Sequence, residues 1–221
     1  MKLRPVQTSF AEEDEYPVGP LPQSVILGDN SALIASVAPI YLTGSVLDVT
    51  YGRGAWWNRY TPAPFGFHDL ALDGVDFRDL PHADRSWDAV CFDPPYVPRL
   101  GTKQAVRLDD ARYRERYGLD TPRGHREVVE LIFAGLSECA RVADRWLLVK
   151  CCDYVTSRRL YLGHVAFVNE AERIGLRVHD LIVHAAGAGP GSRQIREVRR
   201  SRRAHSYLAV FAIPARRKHS A

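Results

Sequence analysis

The stretch Ser45-Val46-Leu47-Asp48-Val49-Thr50-Tyr51-Gly52-Arg53-Gly54 decides how the rest of the chain is read. Val46, Leu47 and Val49 make a short apolar run of strand length, and the two glycines that follow mark a turn with backbone freedom closed to other residues. A helix is expected to open just beyond, near Ala55-Trp56-Trp57. Strand, glycine turn and helix in that order begin a βα unit, and a run of such units builds a parallel sheet covered on both faces.

Working outward, Phe65-Gly66-Phe67-His68-Asp69 reads as a second strand and Gly74-Val75-Asp76-Phe77 as a third. A fourth, Trp87-Asp88-Ala89-Val90-Cys91-Phe92-Asp93, is stopped by Pro94-Pro95. Residues 98–121 are polar and basic and read as a long loop. After Pro122, Val128, Val129, Leu131, Ile132, Leu136 and Val142 recur at helical spacing. Trp146 to Lys150 reads as a strand, Leu160 to Ile174 as a helix closed by Gly175, and Leu176 to Ala185 and Ser206 to Ile213 as the last two strands. Upstream, Ile26 to Ala38 is expected to be a helix, capped from Gly28-Asp29-Asn30-Ser31 and ended by Pro39, while residues 1–24 form an irregular arm. The expected architecture is α/β, a doubly wound, mainly parallel sheet with a terminal antiparallel hairpin, in one domain over 25–215. Ligands of such a fold bind at the carboxyl ends of the strands.

The 221 residues are 46% hydrophobic and 25% charged, which excludes a disordered or fibrous chain. No apolar run reaches the roughly 20 residues of a membrane span, and the N-terminus turns acidic at Glu12 where a secretory signal would be apolar, so a cytoplasmic protein is expected. Cys91, Cys139, Cys151 and Cys152 form no C-x-x-C pair and no zinc spacing, so reduced thiols, no disulfide and no metal are expected. The net charge of +4 is unevenly spread: from Pro190 onward the chain carries +8, and the preceding part −4. A basic end on an acidic body points to a polyanionic partner or to a solvated basic face.

Two features carry chemistry. Gly52-Arg53-Gly54 lets backbone approach a ligand closely, although by itself it reads more readily as an ordinary tight turn, and it lacks the third glycine of the dinucleotide fingerprint. Asp69, some fifteen to twenty residues on, sits about where an acid grips a ribose hydroxyl in nucleotide-binding folds. In Asp93-Pro94-Pro95-Tyr96, the prolines hold carbonyl oxygens in rigid positions, and an ionised Asp accepts hydrogen bonds only. Carboxylate and carbonyl together can grip an exocyclic amino group, and a tyrosine can lie flat on a heterocycle. The other reading is a strand terminator with an incidental Tyr.

The two features together resemble the S-adenosylmethionine-dependent amino-group DNA methyltransferases. Asp93-Pro94-Pro95-Tyr96 is similar to their catalytic tetrapeptide, and Asp48 with Gly52-x-Gly54 to their cofactor motif, in the order of the gamma arrangement. The resemblance implies a Rossmann-like class I methyltransferase fold and S-adenosylmethionine as cofactor. It implies that Asp48, Tyr51, Gly52 and Gly54 line the methionine part, that Asp69 holds the ribose, and that Asp76 and Phe77 face the adenine. It also implies that Asp93 and the Pro94 carbonyl accept the target amine's hydrogens beside Pro95, and that Tyr96 stacks on the base.

A base inside a duplex must be flipped out to reach such a pocket. Arg99 and Lys103 in the 98–121 segment, and Arg193, Arg196, Arg199, Arg200, Arg202 and Arg203 in the 187–204 segment, are the candidate nucleic-acid contacts, each alternatively a solvated surface charge. The resemblance implies DNA as partner and adenine N6 as target. An RNA base-amino methyltransferase (guanine N2 or adenine N6) is the alternative, and a catalytically silent nucleic-acid-binding relative a third. Lys150 is divided between site and surface, and His125 and His164 read as surface or core histidines.

Overall fold

The computed structural model describes residues 23–95, 111, 114–115, 118–120, 122, 124–156, 159–185 and 203–215. In chain order the elements are β1 (Val25–Leu27), α1 (Asn30–Tyr41), β2 (Val46–Asp48), β3 (Phe65–Phe67) and β4 (Trp87–Phe92), then α2 (His125–Val142), β5 (Ala143–Cys151), β6 (Tyr154–Thr156) and β7 (Arg159–Tyr161), and finally α3 (Gly163–Arg173), β8 (Arg177–Ala185) and β9 (Ser206–Ala212). The main sheet has seven strands in the order β1-β8-β9-β5-β4-β2-β3, and β6 and β7 form a separate hairpin. Pairs β1/β8, β3/β2, β2/β4 and β4/β5 are parallel. β9 runs antiparallel between β5 and β8. The expected doubly wound, mainly parallel sheet with an antiparallel terminal hairpin is the fold observed.

Neighbouring residues of a strand face opposite sides of the sheet, and the two buried clusters follow that alternation. Leu47, Val90, Phe92, Leu147 and Val149 pack under α2 and α3, with Leu136, Cys139 and Phe167. Val46, Ala89, Cys91, Trp146 and Leu148 pack under α1, with Leu33, Ile34, Val37, Trp56 and Trp57. Cys91, Cys139 and Cys151 are buried free thiols, and Cys152 is a half-buried one.

Five local expectations are corrected. The segment from Ile26 is not one helix: Val25–Leu27 pairs with Val183–Ala185, and α1 starts only at Asn30, where Asp29 Oδ1 accepts from the Ala32 N–H at 2.8 Å. Three residues cannot separate the period of a strand from that of a helix, so the distant partner decides. Pro39 lies inside α1, because the buried face of Leu33, Ile34, Val37 and Tyr41 carries the helix through its last turn, where Leu42 N–H still reaches the Ala38 carbonyl at 2.9 Å. Residues 55–59 form turns, and Val75–Phe77 is irregular, anchored by Phe77 in the core. The Leu160–Ile174 helix is replaced at its start by β7, so α3 begins at Gly163. A Cβ at Gly163 would come within 2.1 Å of the Cys152 carbonyl, which is why the smallest residue stands where the helix meets the end of β5. Of the 98–121 segment, only Ala111, Arg114, Glu115 and residues 118–120 are described, and the first three are helical.

Candidate active site at the carboxyl edge of β2, β4 and β5

The glycine turn is built from its own strand and the one beside it. The His68 N–H donates to the Asp48 carbonyl at 2.7 Å and the Tyr51 N–H to the His68 carbonyl at 3.1 Å, carrying the β2/β3 ladder past the strand ends. Gly52 and Gly54 have φ of +57° and +69°. That left-handed region disfavours side chains and suits a turn that doubles back within three residues. A Cβ at Gly52 would meet only the Thr50 carbonyl, 3.9 Å away, so the turn presents open backbone there. At Gly54 a Cβ would come within 2.5 Å of the Tyr51 hydroxyl, because the Tyr51 ring, stacked on Phe67 at 4.2 Å, lies against that glycine.

Three carboxylates converge on this turn. Asp48 is buried; its Oδ1 accepts from the Thr50 N–H at 2.9 Å and its Oδ2 from Trp57 Nε1 at 2.7 Å. Burial pushes its carboxyl up to about 7 against those two hydrogen bonds, and the charges of Asp93 and Asp69 add to the rise. Asp69, also buried, accepts from the Gly52 N–H at 2.9 Å and from the Ala71 N–H at 2.9 Å. It therefore ties the end of β3 to the apex of the turn. Asp93 follows β4, and its backbone N–H donates to Thr50 Oγ1 at 2.8 Å. The glycine turn and the Asp93-Pro94-Pro95 corner are thereby joined by one hydrogen bond.

The other side of the crevice is β5. Phe92 pairs with Val149, so Asp93 comes alongside Lys150, which is buried at 6% exposure and donates to Asn30 Oδ1 at the start of α1. The Cys152 thiol is pushed up to about 12 by burial first and then by the charges of Asp153 and Asp93, with Lys150 opposing. Asp153 is itself buried and holds His164 Nδ1 at 2.7 Å, with Tyr207 stacked on the imidazole at 4.2 Å.

The structure therefore gathers Asp48, Tyr51, Gly52, Gly54, Asp69, Asp93, Pro94 and Pro95 at one edge. Asp76 and Phe77 stand differently. Burial opposes ionisation of Asp76, but the Arg78 guanidinium, bonded to both carboxylate oxygens, outweighs it and holds the carboxyl below its usual range. The Phe77 side chain is core, packed on Phe92 at 5.1 Å, and does not line the site. Tyr96, Arg99, Lys103, Arg193, Arg196, Arg199, Arg200 and Arg202 lie outside the described residues; Arg203 is half-buried before β9. Sequence reasoning passed over Thr50, Trp57, Asn30, and the Asp153–His164 pair. Thr50 alone carried a signal, as a hydroxyl between the acid and the glycines.

These residues fit a cationic group: carboxyl groups around open glycine backbone suit a positive charge. Among those residues no cluster of His, Cys, Asp and Glu could hold a metal ion, and no helix is long and apolar enough to cross a membrane.

No protein-family model and no curated protein matches the chain. Solved structures do. A Bacillus halodurans C-125 protein provisionally described as a methyltransferase is 13% identical over 84% of this chain and 99% of its own, with a TM-score of 0.50. Magnesium protoporphyrin IX methyltransferase from Synechocystis PCC 6803, solved with bound S-adenosylmethionine, is 12% identical over 83% of this chain and 79% of its own (TM-score 0.45). A Thermus thermophilus protein provisionally described as a DNA modification methylase is 16% identical over 63% of this chain (TM-score 0.40), and the match spans only 52% of that longer protein. The Bacillus likeness, over 84% of this chain and 99% of that one, shows a shared fold, the Rossmann-like fold seen in class I methyltransferases.

Proposed function

We propose that the chain is an S-adenosylmethionine-dependent methyltransferase acting on an exocyclic amino group, with adenine N6 of a flipped DNA base as its target. The observation that carries this reading is the hydrogen bond from Asp93 to Thr50, which couples the corner able to grip an amine to the turn able to hold the cofactor. The cofactor supplies a methyl group on an electrophilic sulfonium. The chain's own residues do the rest. Asp48, Tyr51, Gly52 and Gly54 border the methionine part, Asp69 the ribose, and Asp76 with the Phe77 backbone the adenine. The Asp93 carboxylate and Pro94 carbonyl accept both hydrogens of the amino group, which turns its lone pair toward the methyl, and Tyr96 supports the base from one face. Fixed acceptors of this kind work by positioning and by electrostatics that need no rearrangement during reaction. The basic segments at 98–121 and 187–204, Arg203 included, supply phosphate contacts.

The test is nucleoside mass spectrometry on DNA and RNA from a methylation-deficient host expressing the chain or its Asp93→Ala variant. N6-methyladenine that appears in DNA with the native chain and falls at least about 100-fold with the variant supports the reading. A methylated guanine or adenine found in RNA alone transfers the chemistry to an RNA target. Retained cofactor binding with no methylated base in either pool would favour the catalytically silent relative.

A further inference from the structure

Lys150 is the buried charge that the proposed reaction leaves without a task. It is 6% exposed, in a strand whose neighbours on that face, Leu148 and Trp146, are core. Its ammonium has three N–H donors. Among the described residues its side-chain hydrogen-bond partner is the neutral Asn30 Oδ1, and no carboxylate forms an ion pair with it. A buried ammonium without an ion pair is costly, and a staple between β5 and α1 would need only a neutral amide.

The surroundings sharpen the point. Asn30 is the first residue of α1, whose N-terminal N–H groups add positive potential of their own. His184, 1% exposed, bonds the Gly28 carbonyl through Nε2 at 2.9 Å, and burial first and then the nearby Lys150 charge keep its imidazole below the usual range. The one acid of this turn, Asp29, faces outward: it accepts from Ser31 and Ala32, and Arg59 stands 3.6 Å away. The crevice thus sets the carboxyl groups of Asp93, one strand away, and Asp48, two strands away, across from the Lys150 ammonium. That is the polarity of an α-amino acid, whose ammonium and carboxylate are separated by one carbon.

We propose that Lys150, held by Asn30, binds the carboxylate of the amino-acid portion of the cofactor. The assignment rests on the methyltransferase reading above and adds a residue and a charge to it. A nucleic-acid phosphate carries the same chemistry, and the experiment separates the two.

Calorimetric titration of the full chain with S-adenosylhomocysteine, and separately with 5′-methylthioadenosine, which lacks the amino-acid portion, makes the test. Lys150→Met should weaken S-adenosylhomocysteine by about 10- to 100-fold, the range of a hydrogen-bonded charge, and change 5′-methylthioadenosine less than about 2-fold. Asn30→Ala, at a half-buried position, should show the same selectivity with a smaller loss, and it keeps the test open if the lysine variant does not fold. Equal weakening of both ligands, or none, overturns the proposal. Intact S-adenosylhomocysteine affinity with a raised KM for nucleic acid overturns it in favour of a phosphate. A native chain that binds neither ligand overturns the methyltransferase reading itself.

Discussion

The backbone N–H of Asp93 donates to Thr50 Oγ1 at 2.8 Å, so a hydrogen bond joins the two corners of the site, which lie 43 residues apart in the chain. The Thr50 hydroxyl, in the turn after β2, thus fixes the backbone from which the Asp93 carboxylate projects.

Thr50→Val keeps the shape of the side chain and removes the acceptor, leaving the Asp93 N–H unpaired at a cost of about 1–3 kcal/mol. Methyl transfer should fall about 10-fold or more while S-adenosylhomocysteine affinity stays within about 3-fold, and Thr50→Ser should restore most of the rate. Steady-state kinetics beside calorimetry checks this; unaltered transfer by the valine variant would remove the coupling from the mechanism.

Asp48 makes stability depend on pH. Its carboxyl rises from 3.8 to about 7 in the fold, chiefly through burial. A proton held more tightly folded than unfolded stabilises fully below 3.8, and that contribution disappears as pH rises through 7. The loss is of the order of 4 kcal/mol at about 1.4 kcal/mol per unit. Urea denaturation from pH 4 to 8 should show stability declining in the native chain and a flatter profile in Asp48→Asn. Parallel profiles would mean that Asp48 stays ionised throughout.

Arg141 holds the segment between Phe77 and β4. Its guanidinium bonds the Leu80 and His82 carbonyls at 3.2 and 2.8 Å, Asp84 at 2.7 Å, and Glu138 at 2.6 and 2.9 Å. Arg141→Ala should lower stability by about 2 kcal/mol and open the chain to trypsin at Arg78 or Arg85. Arg141→Lys should recover only part, since an ammonium cannot span the same fork. Thermal melting and mapped cleavage sites decide it, and an alanine variant as stable and as resistant as the native chain would refute the assignment.

The 187–204 segment is expected to carry phosphate contacts. Replacing Arg199 and Arg200 together by Gln should weaken nucleic-acid binding across sequences and reduce the slope of log affinity against log salt by about 2, one for each phosphate no longer neutralised. Fluorescence anisotropy at several salt concentrations reads this directly. An unchanged slope would return both arginines to the solvated surface.

Several parts of the molecule were legible because their signals are local. The Val46–Asp48 strand and its glycine turn lie within ten residues, and Pro94-Pro95 announces the end of β4 at the position where it ends. Two readings failed because a pairing strand outvotes local pattern, one partner far along the chain and one in a tight hairpin. Val25–Leu27 is a strand because β8, more than 150 residues later, offers it an edge, and Arg159–Tyr161 pairs with Tyr154–Thr156 although apolar spacing runs on into α3. Asp76 adds a local pairing, its carboxylate bonded by the arginine two residues on.

From the sequence alone came the alternation of strands and helices, the glycine turn at the end of β2 and the order of the two site motifs, because periodicity and backbone freedom are properties of adjacent residues. Tertiary structure decided which charges share the crevice. Asp48, Asp69 and Asp93 converge, and Lys150 is buried against Asn30, only because strand register and the docking of α1 set side chains from five segments at one edge of the sheet, where burial raises the Asp48 carboxyl.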